Sequence, residues 1–383
     1  MSKSILITGG AGFIGQHLTR KLLSEGHSIR ILDSFHPQIH GVDGDISVDI
    51  KSQVDLVRAD IRDRDALINA VSGIDTIVHL AAETGTGQSM YEIERYFSVN
   101  VQGTAILLDV LGNEPNAKGV TNIVVASSRA IYGEGTYQCA THGKVYPEAR
   151  SNIDMAAGKL EPICPKCALS VDMLSTEEDA PFKPMSMYGL TKQVQEQAVL
   201  LFARVKGINA FALRYQNVYG AGQSLKNPYT GILAVFSNLA RQGQRIDVYE
   251  DGLESRDFVY VSDVVEATTR AIQYNEKFIG ALNVGGGEAV SVAEVAAQVN
   301  QYFGGHSEIQ LSGAFRVGDI RHNLAALDNV NKILGFKPQL SFSKGLKLFL
   351  DWAEAQPVED KNAYTKSVME LSERSLMGQV KKS

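Results

Sequence analysis

The chain has 383 residues, 44% hydrophobic and 21% charged, with a formal net charge of −6. This is the balance of an ordinary globular protein, and the acidic surplus argues against nucleic acid or an anionic membrane surface as partner. No apolar run approaches a membrane span, and Met1-Ser2-Lys3 leads straight into the first strand with no room for a signal peptide. Three cysteines cannot pair completely, so a reducing, cytoplasmic location is expected.

Positions 4–8 form a short apolar run ending in glycines, which reads as a buried parallel strand. Helical spacing follows over 13–24 through Ile14, Leu18, Leu22 and Leu23, with Gly26 as a C-terminal cap. Further strands are expected over 29–32 (closed by Asp33), 54–58, 76–80 and 122–126, with helices near 65–71 and over 91–111. Strands alternating with helices predict an α/β fold, a Rossmann-type doubly wound parallel sheet. The rhythm breaks over 133–185, which is polar, proline-dotted and holds all three cysteines. Helical spacing resumes over 188–205, and a sixth strand is expected over 208–214. The expected organisation is a dinucleotide-binding core (1–132), a cysteine-containing insert (133–185), and a helix and sixth strand of the core (186–218). A smaller, mainly substrate-binding C-terminal lobe (219–355) follows, with 281–284 returning to the sheet, and then a polar, partly helical tail (356–383).

The first strand-to-helix turn reads Thr8-Gly9-Gly10-Ala11-Gly12-Phe13-Ile14-Gly15. Gly9 permits the tight turn, Gly12 lets backbone approach a pyrophosphate, and Gly15 lets helix and strand pack closely. The phosphates would lie at the helix N-terminus, where N–H groups and the helix dipole favour negative charge. Asp33 ends the second strand, where its carboxylate suits both ribose hydroxyls and repels a 2′-phosphate, favouring NAD over NADP.

Tyr188 and Lys192 stand four residues apart, which on a helix puts both on one face. A phenol titrates near pH ~10 and is a poor base at neutrality, and a neighbouring ammonium favours its phenolate. Lys192 also suits the nicotinamide ribose, and the Ser128 hydroxyl suits the substrate's reacting oxygen. His79, closing a strand, reads as packed rather than catalytic, and Tyr132 is open between a core position and the edge of a sugar site.

These pieces resemble, in order, the extended short-chain dehydrogenase/reductases of the nucleotide-sugar epimerase/dehydratase group. The matching residues are the glycine turn, Asp60-Ile61, His79-Leu80-Ala81-Ala82, Asn100, Ser127-Ser128 with Tyr132-Gly133, and Tyr188 with Lys192. The segments 214–220, Arg256-Asp257-Phe258-Val259 and Asn283-Val284-Gly285 complete the match, which spans about 4–352. The resemblance implies that Phe13 and Ile14 belong to the cofactor site with Gly9, Gly12 and Asp33. It also implies that Asp60 and Ile61 border adenine, that Leu80, Ala81 and Ala82 line the cofactor, and that Asn100, counted with the cofactor site, supports the proton network as structure more than as chemistry. By the same resemblance Arg256 and Arg321 grip the diphosphate of a nucleotide-diphosphate sugar, and Asn217 contacts it. A homodimer is implied, joined by the helices 91–111 and 188–205 in a four-helix bundle.

In the group's 4,6-dehydratases an Asp-Glu pair follows the hydroxyl residue; here Arg129 and Ala130 follow Ser128, and alanine cannot do acid–base work. The expected reaction is therefore 4-epimerisation through a 4-keto sugar, with a 4,6-dehydratase as runner-up. A reductase releasing its product and an idle NAD-binding protein are the readings from other classes. The run 79–89 departs from UDP-glucose/UDP-galactose 4-epimerases, which tend to have a lysine near Thr84. Together with Asn227-Pro228-Tyr229-Thr230-Gly231 and the insert, it resembles dTDP-L-rhamnose 4-epimerases, which interconvert dTDP-L-rhamnose and dTDP-6-deoxy-L-talose.

Within the insert, Cys139-x-x-His142 and Cys164-x-x-Cys167 have the spacing of a Cys₃His knuckle, and four protein ligands predict a structural Zn²⁺ site.

Overall fold

A computed structural model describes residues 2–225, 231–358 and 362–381. Seven strands build the central sheet: β1 (Ser4–Thr8), β2 (Ser28–Asp33), β3 (Asp55–Arg58), β4 (Thr76–His79), β5 (Asn122–Ser128), β6 (Asn209–Tyr215) and β7 (Ile279–Val284). Their order is β3-β2-β1-β4-β5-β6-β7, and every neighbouring pair is parallel. The principal helices are α1 (Phe13–Ser24), α2 (Arg64–Ala70), α3 (Gly103–Asn113), α4 (Met187–Lys206), α5 (Ile232–Arg241), α6 (Val261–Gln273), α7 (Val292–Tyr302), α8 (Asp328–Leu334), α9 (Phe342–Glu354) and α10 (Asn362–Glu373).

Strand periodicity divides the core. In β1, Ile5 and Ile7 face α1, α6 and α8, whereas Leu6 faces α2, α3 and α4. Leu18 and Leu22 of α1 are fully buried on the first face, each burial contributing about 1.5–3 kcal/mol. A third core, with Phe236, Val248, Val295 and Phe349, joins α5, α7 and α9 into the C-terminal lobe. Although α6 and α8 fall within 219–355, they pack on the sheet, so the chain crosses between the two bodies more than once.

Two local readings are corrected. β5 runs on to Ser128 because its ladder with β6 continues through Ser127–Arg214 and Ser128–Tyr215, which a polar strand end does not advertise. The helix expected over 91–111 is three pieces: Ile93–Tyr96, a wide π turn over Phe97–Gln102, and α3. The wide turn carries Asn100, a position where such bulges commonly serve a site.

The insert forms a small sheet of Tyr137–Cys139, Gly143–Val145 and Asp172–Met173. In the tail, α10 is followed by a strand, Met377–Gln379, which pairs antiparallel with Ala314–Arg316. Among the described residues no helix is long and apolar enough to cross a membrane.

Candidate active site

A cleft of about 1170 Å³ opens over the C-terminal ends of β1, β2, β4, β5 and β6, and the lobe forms its far wall. Its floor begins at the glycine turn. Gly9 has φ +70°, and a Cβ there would lie 2.6 Å from Ala81 N. Gly12 caps α1 in extended conformation with no side chain on the helix's first N–H groups. A Cβ on Gly15 would meet Gly10 at 2.6 Å, so helix and turn are in backbone contact. Phe13, Ile14, Ile61, Leu80, Ala81 and Ala82 all line the cleft. Asp33 is held at its rim by Ala11 N (3.0 Å) and Phe35 N (2.9 Å), and Asp60 is forked by Arg62 (2.8 and 2.7 Å). A backbone cradle that side chains would fill, at a helix N-terminus with an acid beside it, fits a dinucleotide.

Asn100 is a correction: it does not reach the cleft wall. It is fully buried, accepts from Glu83 N (2.7 Å), and donates to Glu83 O (3.0 Å) and Thr191 Oγ1 (2.9 Å). Its amide ties the 80–86 loop to α4 and leaves nothing to offer a cofactor. His79 is packed as expected, between Thr8 Oγ1 (2.7 Å) and Thr104 Oγ1 (2.9 Å), and burial holds its pKa down at about 3.

Ser128, Tyr188 and Lys192 converge on the cleft floor. Ser186 starts α4 by accepting from Gly189 N (3.0 Å), which presents Tyr188 in the first turn. Lys192 is buried, donates to Ala126 O (2.9 Å), and is pulled down to about 7 by burial. Burial pushes the Tyr188 phenol up, while hydrogen bonding with Ser128 and the charge of Arg129 pull it down. Arg129, which the sequence had shown only as a missing acid, is therefore a further cation acting on Tyr188, although burial prevails and leaves the phenol raised.

Arg129, Arg256 and Arg316 all line the cleft with Asp319. Arg129 donates from Nε to Asn217 Oδ1 (3.1 Å), and burial beside Arg256 pulls its pKa down to about 10. Arg256 donates from Nη2 to Asp319 Oδ1 (2.9 Å). Arg316 lies over the Tyr249 ring, 5.0 Å from its centroid, and its Nε has no hydrogen-bond partner among the described residues. Three guanidinium groups against the carboxyl groups of Asp319 and Glu254 leave this wall net positive, as a diphosphate requires. Arg321 is a correction. It is fully buried off the cleft, its guanidinium taken by Glu161 (2.7 Å), Glu250 (3.0 Å) and Asp251 (2.7 Å). Sequence reading missed Arg316, which no motif or spacing in the sequence marks.

Beneath the floor runs a buried polar network. Arg214 forks Glu196 (2.5 and 3.0 Å), Ser127 Oγ donates to Glu196 (2.6 Å), and Tyr132 OH accepts from Arg214 (2.7 Å) and donates to Asn283 Oδ1 (2.7 Å). This accounts for Tyr132 as a core residue, and it locks β5, β6, β7 and α4 together under Ser128 and Tyr188.

In the insert, Cys139 Sγ lies 3.7 Å from both His142 Nδ1 and Cys167 Sγ, and Cys164 Sγ lies 3.6 Å from His142 Nδ1. All four ligand atoms lie within 4.8 Å of one another. None of the residues 133–185 lines the cleft.

Fold and site together define a dinucleotide-dependent α/β enzyme with a Tyr/Lys pair. Residues 5–152 and 166–285 match the NAD dependent epimerase/dehydratase family, and the chain belongs to it, as an NAD-dependent nucleotide-sugar epimerase. It is 38% identical, over 94% of its length and 97% of the relative's, to a dTDP-L-rhamnose 4-epimerase of Burkholderia thailandensis. Among solved structures it resembles MoeE5 in complex with UDP-glucose and NAD (TM-score 0.71, 27% identity, 92% of this chain and 98% of the other). It also resembles a UDP-glucose 4-epimerase of Thermotoga maritima with UDP-glucose (TM-score 0.73, 26% identity, 92% and 98%).

Proposed function

We propose that the enzyme interconverts dTDP-L-rhamnose and dTDP-6-deoxy-L-talose by epimerisation at C4. The observation that carries the reaction type is the convergence of Ser128, Tyr188 and Lys192 on one cleft floor, with Arg129 and Ala130 where a dehydratase needs acids. NAD, when bound, supplies the acceptor and returner of the C4 hydride and, while oxidised, a positive charge. The residues do the rest. Ser128 holds the C4 oxygen; Tyr188, as the phenolate that Lys192 and Arg129 favour, takes the C4 hydroxyl proton and, once the 4-keto sugar has turned its other face, returns it. Arg129, Arg256 and Arg316 face the diphosphate, with Asn217 fixed by Arg129. The sugar's identity is supported by the Burkholderia relative; the segment 227–230 lies outside the described residues.

Incubation with dTDP-L-rhamnose and, separately, UDP-glucose, followed by resolution of the products, tests this. The talose epimer is expected from the first. Exclusive turnover of UDP-glucose would replace the sugar, and a 4-keto-6-deoxy product from a dTDP-hexose would replace the reaction. Leu201 and Val205 stand exposed on α4, which supports the expected homodimer; light scattering is expected to give twice the chain mass.

The Cys139–His142–Cys164–Cys167 cluster is read as a structural Zn²⁺ site. Zn–S bonds of about 2.3 Å at tetrahedral angles separate sulfurs by about 3.8 Å, and the Cys139–Cys167 separation is 3.7 Å. Four protein ligands leave no open position for chemistry. Metal analysis of purified protein is expected to find about one zinc per chain.

A further inference from the structure

No residue of the insert lines the cleft, yet three of its charged side chains lead to one segment, 316–321, which carries the cleft residues Arg316 and Asp319. Glu134, five residues before Cys139, accepts from Arg321 N (2.9 Å) and Arg150 Nε (3.2 Å). Glu161, three residues before Cys164, accepts from Arg321 Nε (2.7 Å). Between them Arg150 clasps Glu250 (2.8 and 2.9 Å) and donates to Asp319 O (3.1 Å). The same short segment carries Arg316, and Asp319 steadies Arg256.

We infer that the metal-bound insert is a brace for this segment and sets the affinity for the nucleotide sugar without touching it. This rests on reading the cluster as a zinc site. The insert's apolar core at the knuckle is small, Tyr137, Cys139, Val145 and Cys164 with Cys167, Val171 and Met173 partly buried against it. A separate cluster packs Met155 and Leu160 on Phe315. Tying the Cys139 side to the Cys164 side at a fixed spacing falls to the metal. Once that spacing relaxes, Arg150 and Arg321 lose part of their carboxylate partners. Buried charges do not stay unpaired, so 316–321 must shift to find water. Arg316 and Asp319 move with it, and with Asp319 the seat of Arg256. The glycine turn and Tyr188 belong to other elements and stay in place. The family match omits 153–165, the stretch that carries Glu161 and Cys164.

The test uses Cys167→Ser and Glu161→Gln in the full chain, with zinc content, bound NAD, KM and kcat measured on the nucleotide sugar that the wild-type enzyme turns over. Cys167→Ser is expected to lose zinc and raise KM about tenfold, the scale of one charged hydrogen bond, with bound NAD and kcat near wild type. Glu161→Gln is expected to keep zinc and raise KM in the same direction, and it decides the matter if Cys167→Ser does not fold. Zinc loss with unchanged KM overturns the brace while leaving the zinc site standing. Wild-type protein free of zinc overturns the zinc reading and with it the metal's part in the brace. An unchanged KM in Glu161→Gln overturns the insert's part.

Discussion

One wall of the cleft, from Gly9 to Ala82, presents backbone; the opposite wall, built from Arg129, Asn217, Arg256, Arg316 and Asp319, presents guanidinium groups. The first lies at a helix N-terminus and depends on missing side chains, since a Cβ on Gly9 would strike Ala81 N at 2.6 Å. The second depends on Arg256, Arg316 and Arg129, which come from separate parts of the chain and are steadied by Asp319 and Asn217. Backbone donors are fixed once the fold forms, and they suit a cofactor that is kept through each cycle. Arginine side chains lean on neighbours that can be perturbed, and they suit a substrate that must leave.

The comparison can be broken in several places. The largest effect is expected between the walls: Tyr188→Phe removes the proton carrier and lowers turnover by about 10³-fold or more, with NAD retained. Loss of NAD there would mean that the floor belongs to the cofactor wall instead. Glu196→Ala leaves Arg214 buried without its partner and is expected to cost about 3–5 kcal/mol in chemical denaturation. That pair lies under the floor between the walls, so activity should fall with stability, and NAD content with it. Arg256→Leu is expected to raise KM about 10- to 100-fold with NAD content unchanged; a variant purified without NAD would abolish the distinction between the walls.

Arg129→Leu sharpens the comparison through pH. The Arg129 charge pulls the Tyr188 phenol down, so its removal is expected to move the rising limb of the kcat–pH profile to higher pH. The smallest effect belongs to His79, held down at about 3 against an ordinary 6.5. As pH falls below 6.5 the unfolded chain binds this proton and the folded chain does not. The stability His79 contributes is therefore full above 6.5 and drains away toward 3. His79→Gln is expected to show a shallower acid loss in thermal melts between those limits.

What was legible in the sequence was what is local. The apolar run through Ile5, Leu6 and Ile7, the helix spacing through Leu18 and Leu22, the glycine turn and the Tyr188/Lys192 pair each depend on neighbours within a few residues. The cysteine pairs were legible for the same reason, as two short ligand spacings. What failed was what depends on distant partners. Arg321 looked like a phosphate ligand, but its burial is decided by Glu161, Glu250 and Asp251, far away in sequence. Asn100 matched a cofactor-site position, yet the wide turn that carries it aims its amide at Glu83 and Thr191.

The chain by itself thus determined the sheet, the glycine turn and the four-residue spacing of Tyr188 and Lys192, because periodicity and backbone freedom are properties of short segments. Only the tertiary structure decided which arginines face the cleft and which are consumed in ion pairs. A guanidinium group carries its charge everywhere, and whether that charge is free for a ligand depends on which carboxylates the fold brings within reach.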